Sequence, residues 1–320
     1  MKIAILGAGA MGALIGSGFQ KGGADVWLVD PFKEHMEKIK NEGLKIHLNG
    51  GEKEEYVKMN TAIDPSQVGI CDVVVVLVKG MYTRSAVENA NALFDNNTFV
   101  ITLQNGVGNA DILAEIFDAK RVGYGVLNLA SVLVSPGEIN ANYINNIENV
   151  FNIYFNSISN ERLEICNQLV NILTAGGFKT IYSTEADIFI WQKLIVNCCV
   201  NLTCAMTRLT MGQIFDQLDG RELQRKIVKE LVEVANAKGI PFDYENEWYH
   251  WEHEALPMGR PHYPSAAQDM FNFRKTEVDF LNGAVCREGD KHGIETPVND
   301  TIVMLSHIIE NTYDIQYPRK

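Results

Sequence analysis

The sequence predicts an α/β protein with two domains: a Rossmann-type doubly wound parallel sheet over residues 1–183, followed by an all-helical domain over residues 184–320. Three observations support this prediction. Short apolar runs alternate with helical stretches through the first half, a glycine-rich turn follows the first run, and long helical patterns replace the alternation after about residue 184. We expect the first domain to bind a dinucleotide and the second to supply substrate binding and dimerisation.

Short apolar runs mark the predicted strands of the sheet at residues 2–6, 25–29, 72–78, 99–103 and 121–126. Runs of this length, bounded by turns, are typical of parallel strands covered on both faces. The segment 44–59 carries Asn49-Gly50 between alternating stretches, which predicts a hairpin. Residues 137–144 and 149–155 predict further antiparallel strands.

Composition excludes several classes of partner. The chain has 320 residues, 46% of them hydrophobic, which is enough to build a large core. Its net charge of −12 and the lack of any long Lys/Arg block argue against nucleic acid and anionic membranes. No apolar run approaches the roughly 20 residues of a membrane helix, and no secretory signal opens the chain. The six cysteines lack paired metal-ligand spacing, so we expect reduced thiols in a cytoplasmic protein.

A glycine motif follows the first predicted strand and opens a helix. Its residues are Gly7, Ala8, Gly9, Ala10, Met11 and Gly12. In such a motif Gly7 allows the tight turn, Gly9 lets backbone amides approach a pyrophosphate, and Gly12 permits close packing of the helix on the strand. The motif predicts dinucleotide binding, and a glycine turn without a ligand is the alternative.

Asp30 ends the second predicted strand, 18 residues after Gly12. A carboxylate there can accept hydrogen bonds from the ribose hydroxyls and would repel a 2′-phosphate, which favours NAD(H) over NADP(H). The alternative is that Asp30 only caps the helix beginning near Phe32.

Two polar residues come at the carboxyl ends of predicted strands, where doubly wound folds bind ligands. Lys79 follows one strand directly, and Asn105 follows another within the stretch Gln104-Asn105-Gly106. Ordinary turn chemistry is the alternative for both, since Asn-Gly is a common turn pair.

The apolar stretch at residues 191–201 carries Lys193, Asn197 and Asn201 at four-residue intervals, so a helix places them on one face. Burying an unpaired lysine is costly, whereas a lysine facing a cleft that binds an anionic 2-oxo acid is compensated by its ligand. We therefore expect Lys193 to face a substrate cleft. The alternative is that Lys193 reaches solvent and the two amides bind neighbouring backbone.

A second polar cluster includes Ser265 and Glu277, twelve residues apart. One continuous helix would bring them only roughly to the same side, so an ordinary solvated face is the alternative. Nearby, His250 and His253 have a spacing that a metal can use, but no third ligand is evident and we predict no metal site.

Taken together, these segments resemble the ketopantoate reductase family over the whole chain. The resemblance lies in the glycine motif, Lys79, "QNGVG" at 104–108, "WQKLIVNCCVNLTCAM" at 191–206, and "YPSAAQD…RKTEVDFLNGAV" at 263–285. It implies that Lys193 is the general acid and that Asn197 and Asn201 line the substrate pocket.

The same resemblance implies roles for the second cluster and for the strand ends. Ser265 would contact the substrate carboxylate, and Glu277 would bind the substrate hydroxyl and assist the catalytic lysine. Lys79 and Asn105 would lie where substrate and cofactor meet, and with Glu277 they would also contact the cofactor.

The chain departs from the family pattern in two places. Typical members prefer NADPH and carry a basic residue near the adenosine ribose, where this chain has Asp30-Pro31, so NADP(H) stays possible beside NAD(H). A serine-rich stretch of the family is replaced here by Pro264-Ser265-Ala266-Ala267, which keeps the serine and changes the pocket wall.

The resemblance implies hydride transfer from a reduced nicotinamide to the C2 carbonyl of a 2-oxo acid, namely reduction of ketopantoate to D-pantoate in pantothenate biosynthesis. An NAD-dependent D-2-hydroxyacid dehydrogenase of the D-mandelate type, acting on branched or aromatic 2-oxo acids, is the alternative. An NAD(H)-sensing protein without catalysis would need Asp30 but not Lys193, Ser265 and Glu277 together. We expect a small-molecule substrate as partner, a homodimer, and neither nucleic acid nor membrane.

Overall fold

The computed structural model describes residues 1–48, 51–142, 152–160 and 163–316. The chain forms two compact units. The first comprises Met1–Gln104 with Asn109–Ala186, and the second comprises Asn105–Gly108 with Asp187–Lys320. The boundary after residue 183 that the sequence suggests stays a prediction.

The first unit is built on strands. In chain order they are β1 (Lys2–Leu6), β2 (Asp25–Val29), β3 (Leu44–Leu48), β4 (Lys53–Val57), β5 (Asn60–Ala62), β6 (Val73–Val76), β7 (Phe99–Thr102), β8 (Val122–Leu127), β9 (Ala130–Ser135), β10 (Glu138–Asn142), β11 (Ile153–Ser157) and β12 (Thr180–Tyr182). The five apolar runs of the sequence coincide with β1, β2, β6, β7 and β8 to within two residues at each end.

The main sheet has eight strands in the order β12-β11-β8-β7-β6-β1-β2-β5. Neighbours pair in parallel, except that β11 runs antiparallel to β8. Residues such as those of β6, four consecutive valines, are buried on both faces, as parallel strands covered by helices require. The predicted doubly wound sheet is confirmed. Its β1 lies between β2 and β6, so the carboxyl end of β1 is a switch point where such sheets bind ligands.

A second sheet has the order β4-β3-β10-β9. The pair β3–β4 is antiparallel, as the sequence predicts. Strand β10 pairs antiparallel with β9, a strand that the sequence did not predict, and parallel with β3. The strand predicted at 149–155 corresponds to β11, which lies in the main sheet, antiparallel to β8. The Asn49-Gly50 turn predicted between β3 and β4 lies outside the described residues. That the two hairpins join into one sheet was not predicted, because pairing between segments about 90 residues apart leaves no local pattern in the sequence.

The helices of the first unit are α1 (Ala10–Lys21), α2 (Lys33–Glu42), α3 (Thr83–Asn89), α4 (Asn109–Ile116) and α5 (Glu164–Ala175). Helix α1 starts immediately after the glycine motif. It buries Leu14, Ile15 and Phe19 in the core of this unit, which fixes the end of the helix that faces the motif.

The second unit, where described, consists of helices and turns, which confirms the predicted all-helical domain. Its helices are α6 (Ala186–Thr207), α7 (Met211–Phe215), α8 (Leu218–Ala237), α9 (Tyr244–Tyr249), a π-helical turn (His250–Ala255), α10 (Leu256–Gly259), α11 (Ser265–Phe271), α12 (Asn282–His292) and α13 (Pro297–Glu310).

Helix α6 is the longest of the helices described in this unit. With 22 residues and a mean hydropathy of 1.4 over its most apolar window, it is long and apolar enough to cross a membrane by length and composition. The expectation that no segment reaches that length is wrong, because it rested on uninterrupted apolar runs, and polar residues such as Lys193, Asn197 and Asn201 interrupt α6. Of that window, 61% is buried inside the protein, among side chains such as Leu231 of α8.

A buried carboxylate joins α8 to α13. Glu230 accepts hydrogen bonds from the backbone N–H of Val298 at 2.8 Å, and from the backbone N–H and side-chain amide of Asn299 at 3.0 and 2.7 Å. The two backbone N–H groups belong to the first turn of α13, where N–H groups have no acceptor within the helix. Glu230 therefore stabilises the start of α13 from inside the core.

Candidate active site

The glycine motif forms a turn at the carboxyl end of β1 that only glycine can form. Gly7 has φ +95°, and a Cβ on it would lie 2.4 Å from the backbone nitrogen of Val78. A Cβ on Gly12 would lie 2.0 Å from the carbonyl oxygen of Gly7. Both positions are tighter than any real Cβ contact, so these two glycines bring β1, the loop after β6 and α1 together.

Gly9 differs from its two neighbours in the motif because its outer side is open. A Cβ there would meet nothing within 4 Å, and Gly9 is the N-cap of the 12-residue helix α1, with no side chain capping it. The first N–H groups of an α-helix lack intrahelical acceptors and carry the positive end of the helix dipole. This turn therefore fits the pyrophosphate of a dinucleotide.

Asp30 lies beside the same turn. Its Oδ2 accepts a hydrogen bond from the Ala8 N–H at 2.9 Å, and its Oδ1 accepts one from the Phe32 N–H at 2.9 Å. Helix α2 starts at Lys33 with Phe32 as its N-cap, so Asp30 is not the cap of α2. A carboxylate has about four lone-pair sites, so these two bonds leave acceptor capacity for ribose hydroxyls.

Lys79 lies at the carboxyl end of β6, as the N-cap of a 3-10 turn over Gly80–Tyr82. The residue before it is held by Gln104, whose Nε2 donates to the Val78 carbonyl at 2.7 Å and to Thr83 Oγ1 at 2.8 Å. Gln104 Oε1 accepts from Thr102 Oγ1 at 2.8 Å. The sequence analysis gave Gln104 no role of its own and so missed this one.

Asn105 lies in the loop Asn105–Gly108, which belongs to the second, helical unit although its neighbours in sequence belong to the first. The loop is held there by the Val107 N–H, which donates to the Phe280 carbonyl at 2.9 Å. Gly106 has φ +83°, and a Cβ on it would lie 2.1 Å from the same carbonyl oxygen. Phe280 ends the 3-10 turn that Glu277 precedes, so the loop of Asn105 packs against the segment that carries Glu277.

The polar face of α6 forms a hydrogen-bonded group with the start of α11. Asn201 Nδ2 donates to Asn197 Oδ1 at 3.1 Å. Asn201 Oδ1 accepts from Ser265 Oγ at 3.2 Å and from the Ala266 N–H at 3.1 Å. Asn201 is buried and Ser265 is exposed, so the group runs from the core to the surface. Three of the predicted substrate-binding residues are therefore brought together.

Lys193 lies on the same face, one turn before Asn197. Burial lowers the pKa of its ammonium from 10.5 to about 8, and the carboxylate of Glu277 opposes that fall. Part of the lysine surface stays accessible, as does part of Glu277. The structure thus places the predicted acid within electrostatic reach of the predicted assisting carboxylate.

Glu277 is not on the helix of Ser265. Helix α11 ends at Phe271, and Glu277 is the N-cap of the next 3-10 turn. The twelve-residue spacing was weak evidence because the chain breaks its helix between the two residues, with Phe273 at φ +55° in the break. The family resemblance, and not the spacing, implied that Glu277 assists Lys193, and the structure places its carboxylate where it raises the pKa of that lysine.

Two family models match this chain. Ketopantoate reductase PanE/ApbA matches residues 3–148, and its C-terminal counterpart matches residues 188–310. A 2-dehydropantoate 2-reductase from Streptococcus pyogenes serotype M3 is 30% identical over 317 residues, covering 99% of this chain and 100% of that protein. The chain belongs to the ketopantoate reductase family.

Solved structures agree with this membership. A D-mandelate dehydrogenase in ternary complex with NADH and anilino(oxo)acetate has a TM-score of 0.86 at 28% identity, covering 99% of this chain and 100% of that one. A ketopantoate reductase from Ralstonia eutropha has a TM-score of 0.84 at 30% identity, covering 98% and 100%. Both comparisons extend over both units.

In this member of the ketopantoate reductase family, residues 248–253, which are rich in Trp and His, lie partly in the core of the helical unit and partly on its surface. Trp251 is fully buried and its Nε1 donates to Gln224 Oε1 at 3.2 Å. His250 pairs with Glu254 at 2.7 Å, and His253 stacks on a neighbouring tyrosine. Across the described ranges, no three His, Cys, Asp or Glu residues gather in a way that could hold a metal.

Proposed function

We propose that this protein is a nicotinamide-dependent 2-oxo-acid reductase, and specifically a 2-dehydropantoate 2-reductase that converts ketopantoate to D-pantoate for pantothenate biosynthesis. The observation that carries the proposal is Lys193, an amine whose pKa is lowered to about 8 on an apolar helix and opposed by Glu277. The full-length similarity to curated 2-dehydropantoate 2-reductases supports the choice of substrate.

The chemistry follows from where charge develops. A reduced nicotinamide cofactor, held at the glycine motif Gly7–Gly12 and Asp30, would supply the hydride for the C2 carbon of the 2-oxo acid. Negative charge then grows on the carbonyl oxygen, and Lys193 donates a proton to that oxygen. An amine with a pKa near 8 is mostly protonated at neutral pH and still acidic enough to give up its proton. Glu277 holds the ammonium in place and accepts a hydrogen bond from the hydroxyl of ketopantoate.

The remaining side chains bind substrate and cofactor. Ser265 binds the substrate carboxylate, and Asn197 and Asn201 line the pocket, a role supported by their shared hydrogen-bonded group. Lys79 and Asn105 contact both substrate and cofactor, and Glu277 also contacts the cofactor.

The cofactor is proposed to be NAD(H), held by Gly7, Ala8, Gly9, Ala10, Met11 and Gly12 together with Asp30. The open side of Gly9 supports a pyrophosphate position there. The negative charge of Asp30 disfavours a 2′-phosphate, and the similar D-mandelate dehydrogenase binds NADH.

An NAD-dependent D-2-hydroxyacid dehydrogenase for branched or aromatic 2-oxo acids is the second candidate. Two observations favour it: the TM-score of 0.86 with the D-mandelate dehydrogenase, and the acidic residue at position 30. Such an enzyme would use the same lysine and the same carboxylate-binding serine, without needing the hydroxyl contact of Glu277.

The deciding experiment is a grid of initial rates with NADH and NADPH, each against ketopantoate, 2-oxoisovalerate and phenylglyoxylate. A clear kcat/KM advantage for ketopantoate with NADH supports the proposal. Equal or faster turnover of the two acids without the hydroxyl supports the second candidate. Dinucleotide binding without any turnover would contradict both and favour an NAD(H) sensor.

The role of Lys193 has its own test. Lys193→Met keeps most of the side-chain volume and removes the amine, and Lys193→Ala removes both. We expect each to lower kcat by about 10²- to 10⁴-fold, the usual contribution of a general acid, with the Kd for NADH nearly unchanged. Turnover like that of the unmodified protein in Lys193→Met would sink the assignment.

We also propose a cytoplasmic homodimer. All six cysteines are free thiols, and five of them are buried, as suits a reducing compartment. Light scattering at micromolar concentration tests the assembly, and a monomer at every concentration would contradict it.

A further inference from the structure

A buried histidine lies behind the cofactor-binding turn and has no part in the chemistry above. His35, on α2, has 0% of its surface exposed. Its Nδ1 accepts a hydrogen bond from the Gly137 N–H at 2.8 Å. A ring nitrogen that accepts carries no hydrogen, so the neutral imidazole has its hydrogen on Nε2. Burial lowers the pKa of His35, so the neutral ring prevails near pH 7.

The Nε2 side of this ring faces the glycine motif. Two groups raise the pKa of His35 against the effect of burial: the Asp30 carboxylate has the larger influence, and the backbone of Ala8 the smaller. A backbone group that favours the protonated ring must be an acceptor, so the Ala8 carbonyl faces His35. Within the described residues, Nε2 has no partner that meets hydrogen-bond geometry, so its N–H is attracted to this carbonyl without a complete bond.

The orientation of the Ala8 carbonyl determines the orientation of the next amide. The peptide unit between Ala8 and Gly9 is planar and trans, so its C=O and N–H point in opposite directions. A carbonyl turned inward toward His35 therefore turns the Gly9 N–H away from His35. The space around Gly9 is open, since a Cβ there would meet nothing within 4 Å. Asp30 holds the other end of this residue through the Ala8 N–H.

The ring itself is fixed from its other side. Gly137 belongs to the turn between β9 and β10, has φ +80°, and packs so closely on α2 that a Cβ would lie 2.4 Å from Lys38 Cγ. The ring also stacks on Phe32, with centroids 5.8 Å apart. The imidazole cannot turn over without breaking the bond from Gly137, so Nε2 stays directed at the motif.

We infer that His35 is a positioning residue for the dinucleotide: its Nε2–H attracts the Ala8 carbonyl and keeps the Gly9 N–H directed at the pyrophosphate. This inference rests on the proposed function, because it requires a dinucleotide at the glycine motif. His35 touches no substrate or cofactor and acts through the backbone of the turn.

Two substitutions distinguish the role of Nδ1 from the role of Nε2. His35→Asn places an amide oxygen near Nδ1, keeps the acceptor for Gly137, and leaves no donor at Nε2. His35→Gln places an amide nitrogen near Nε2 and gives up the acceptor for Gly137. For His35→Asn we expect the Kd for NADH, measured by fluorescence titration, to rise about two- to threefold, the low end of the effect of one hydrogen bond between neutral groups, because the Nε2–H contact is not a complete bond. At saturating NADH, kcat and the KM of the 2-oxo acid should change less than twofold.

His35→Gln should bind NADH more tightly than His35→Asn, even if both melt at a lower temperature. A common fall in Tm with the Kd for NADH unchanged in both variants would make His35 a packing residue and overturn the inference. Unmodified protein that binds neither NADH nor NADPH would overturn the proposed function as well, so the two failures are distinguishable.

Discussion

The charge of Lys193 gives the sharpest test of the proposed chemistry. Burial lowers its pKa from 10.5 to about 8 against the opposing effect of Glu277. That difference corresponds to about 3 kcal/mol in favour of the neutral amine. In the proposed mechanism, reduction needs the protonated amine, and oxidation of the product hydroxy acid needs the neutral one.

The expected effect on rate follows from the titration curve. With a pKa of about 8, roughly nine-tenths of the amine is protonated at pH 7 and roughly one-tenth at pH 9. The kcat/KM for reduction, measured at saturating NADH, should therefore fall about tenfold between these pH values, while the oxidation rate rises. An ordinary lysine would leave reduction almost constant over the same range.

Glu277→Gln should change the titration of Lys193 by removing the carboxylate beside it. The carboxylate raises the pKa of Lys193, so its removal should move the midpoint of the reduction profile below pH 8. Glu247→Gln is the matched control. Glu247 is also a buried carboxylate that interacts with α6, through Gln192, but it is not among the groups that shift Lys193. Its removal should leave the midpoint in place.

Two results would refute this reasoning. Reduction that stays constant to pH 10 in the unmodified enzyme would show that Lys193 is not the acid, or that its pKa is not lowered. A midpoint that moves equally in both variants would show that Glu277 has no specific effect.

The free energy of unfolding should rise over the pH range in which the rate of reduction falls. Between pH 8 and 10.5 the unfolded chain binds more protons at Lys193 than the folded chain does, so this residue makes stability increase with pH.

Three further predictions concern other parts of the chain. Asp30→Asn should weaken NADH binding and reduce its preference over NADPH, because the charge facing the 2′-position is gone; an unchanged ratio of the two Kd values would contradict this. Asn201→Leu removes the acceptor of Ser265 and Ala266, so the KM of the 2-oxo acid should rise about tenfold with the Kd for NADH unchanged. Glu230→Gln should lower the free energy of unfolding in urea by about 2 kcal/mol and leave kcat intact at 25 °C, since the start of α13 loses its charged acceptor.

The parts of the fold that the sequence predicted are those set by neighbouring residues. The glycine motif, the buried valines of β6 and the four-residue interval of Lys193, Asn197 and Asn201 each lie within one segment. Their geometry follows from strand and helix periodicity alone. The parallel pairing of β3 with β10 and the loop of Asn105 on Phe280 depend on distant residues, and no local pattern encodes them.

The candidate site shows the same division. The periodicity of α6 placed two asparagines beside the lysine, but the association of Ser265 and Glu277 with them came from family resemblance, since the break after α11 defeats any argument from spacing. Gln104 and His35 were missed because an isolated polar residue near a strand or on a helix looks like a surface residue. What identifies them is burial together with several fixed partners, which only the folded chain provides.

The different surroundings of Lys193, Asn197 and Asn201 suggest why so apolar a helix as α6 carries polar residues. Burial among apolar residues lowers the pKa of Lys193. The burial that suits this amine to the proposed role of acid therefore also costs folding free energy at neutral pH. Replacing the neighbouring apolar residues by polar ones would relieve that cost and return the lysine to an ordinary, weakly acidic state. Asn197 and Asn201 avoid the same cost by bonding to each other and to the start of α11. The helix therefore gives up stability at Lys193, whose lowered pKa the proposed mechanism uses, and provides hydrogen-bond partners for Asn197 and Asn201.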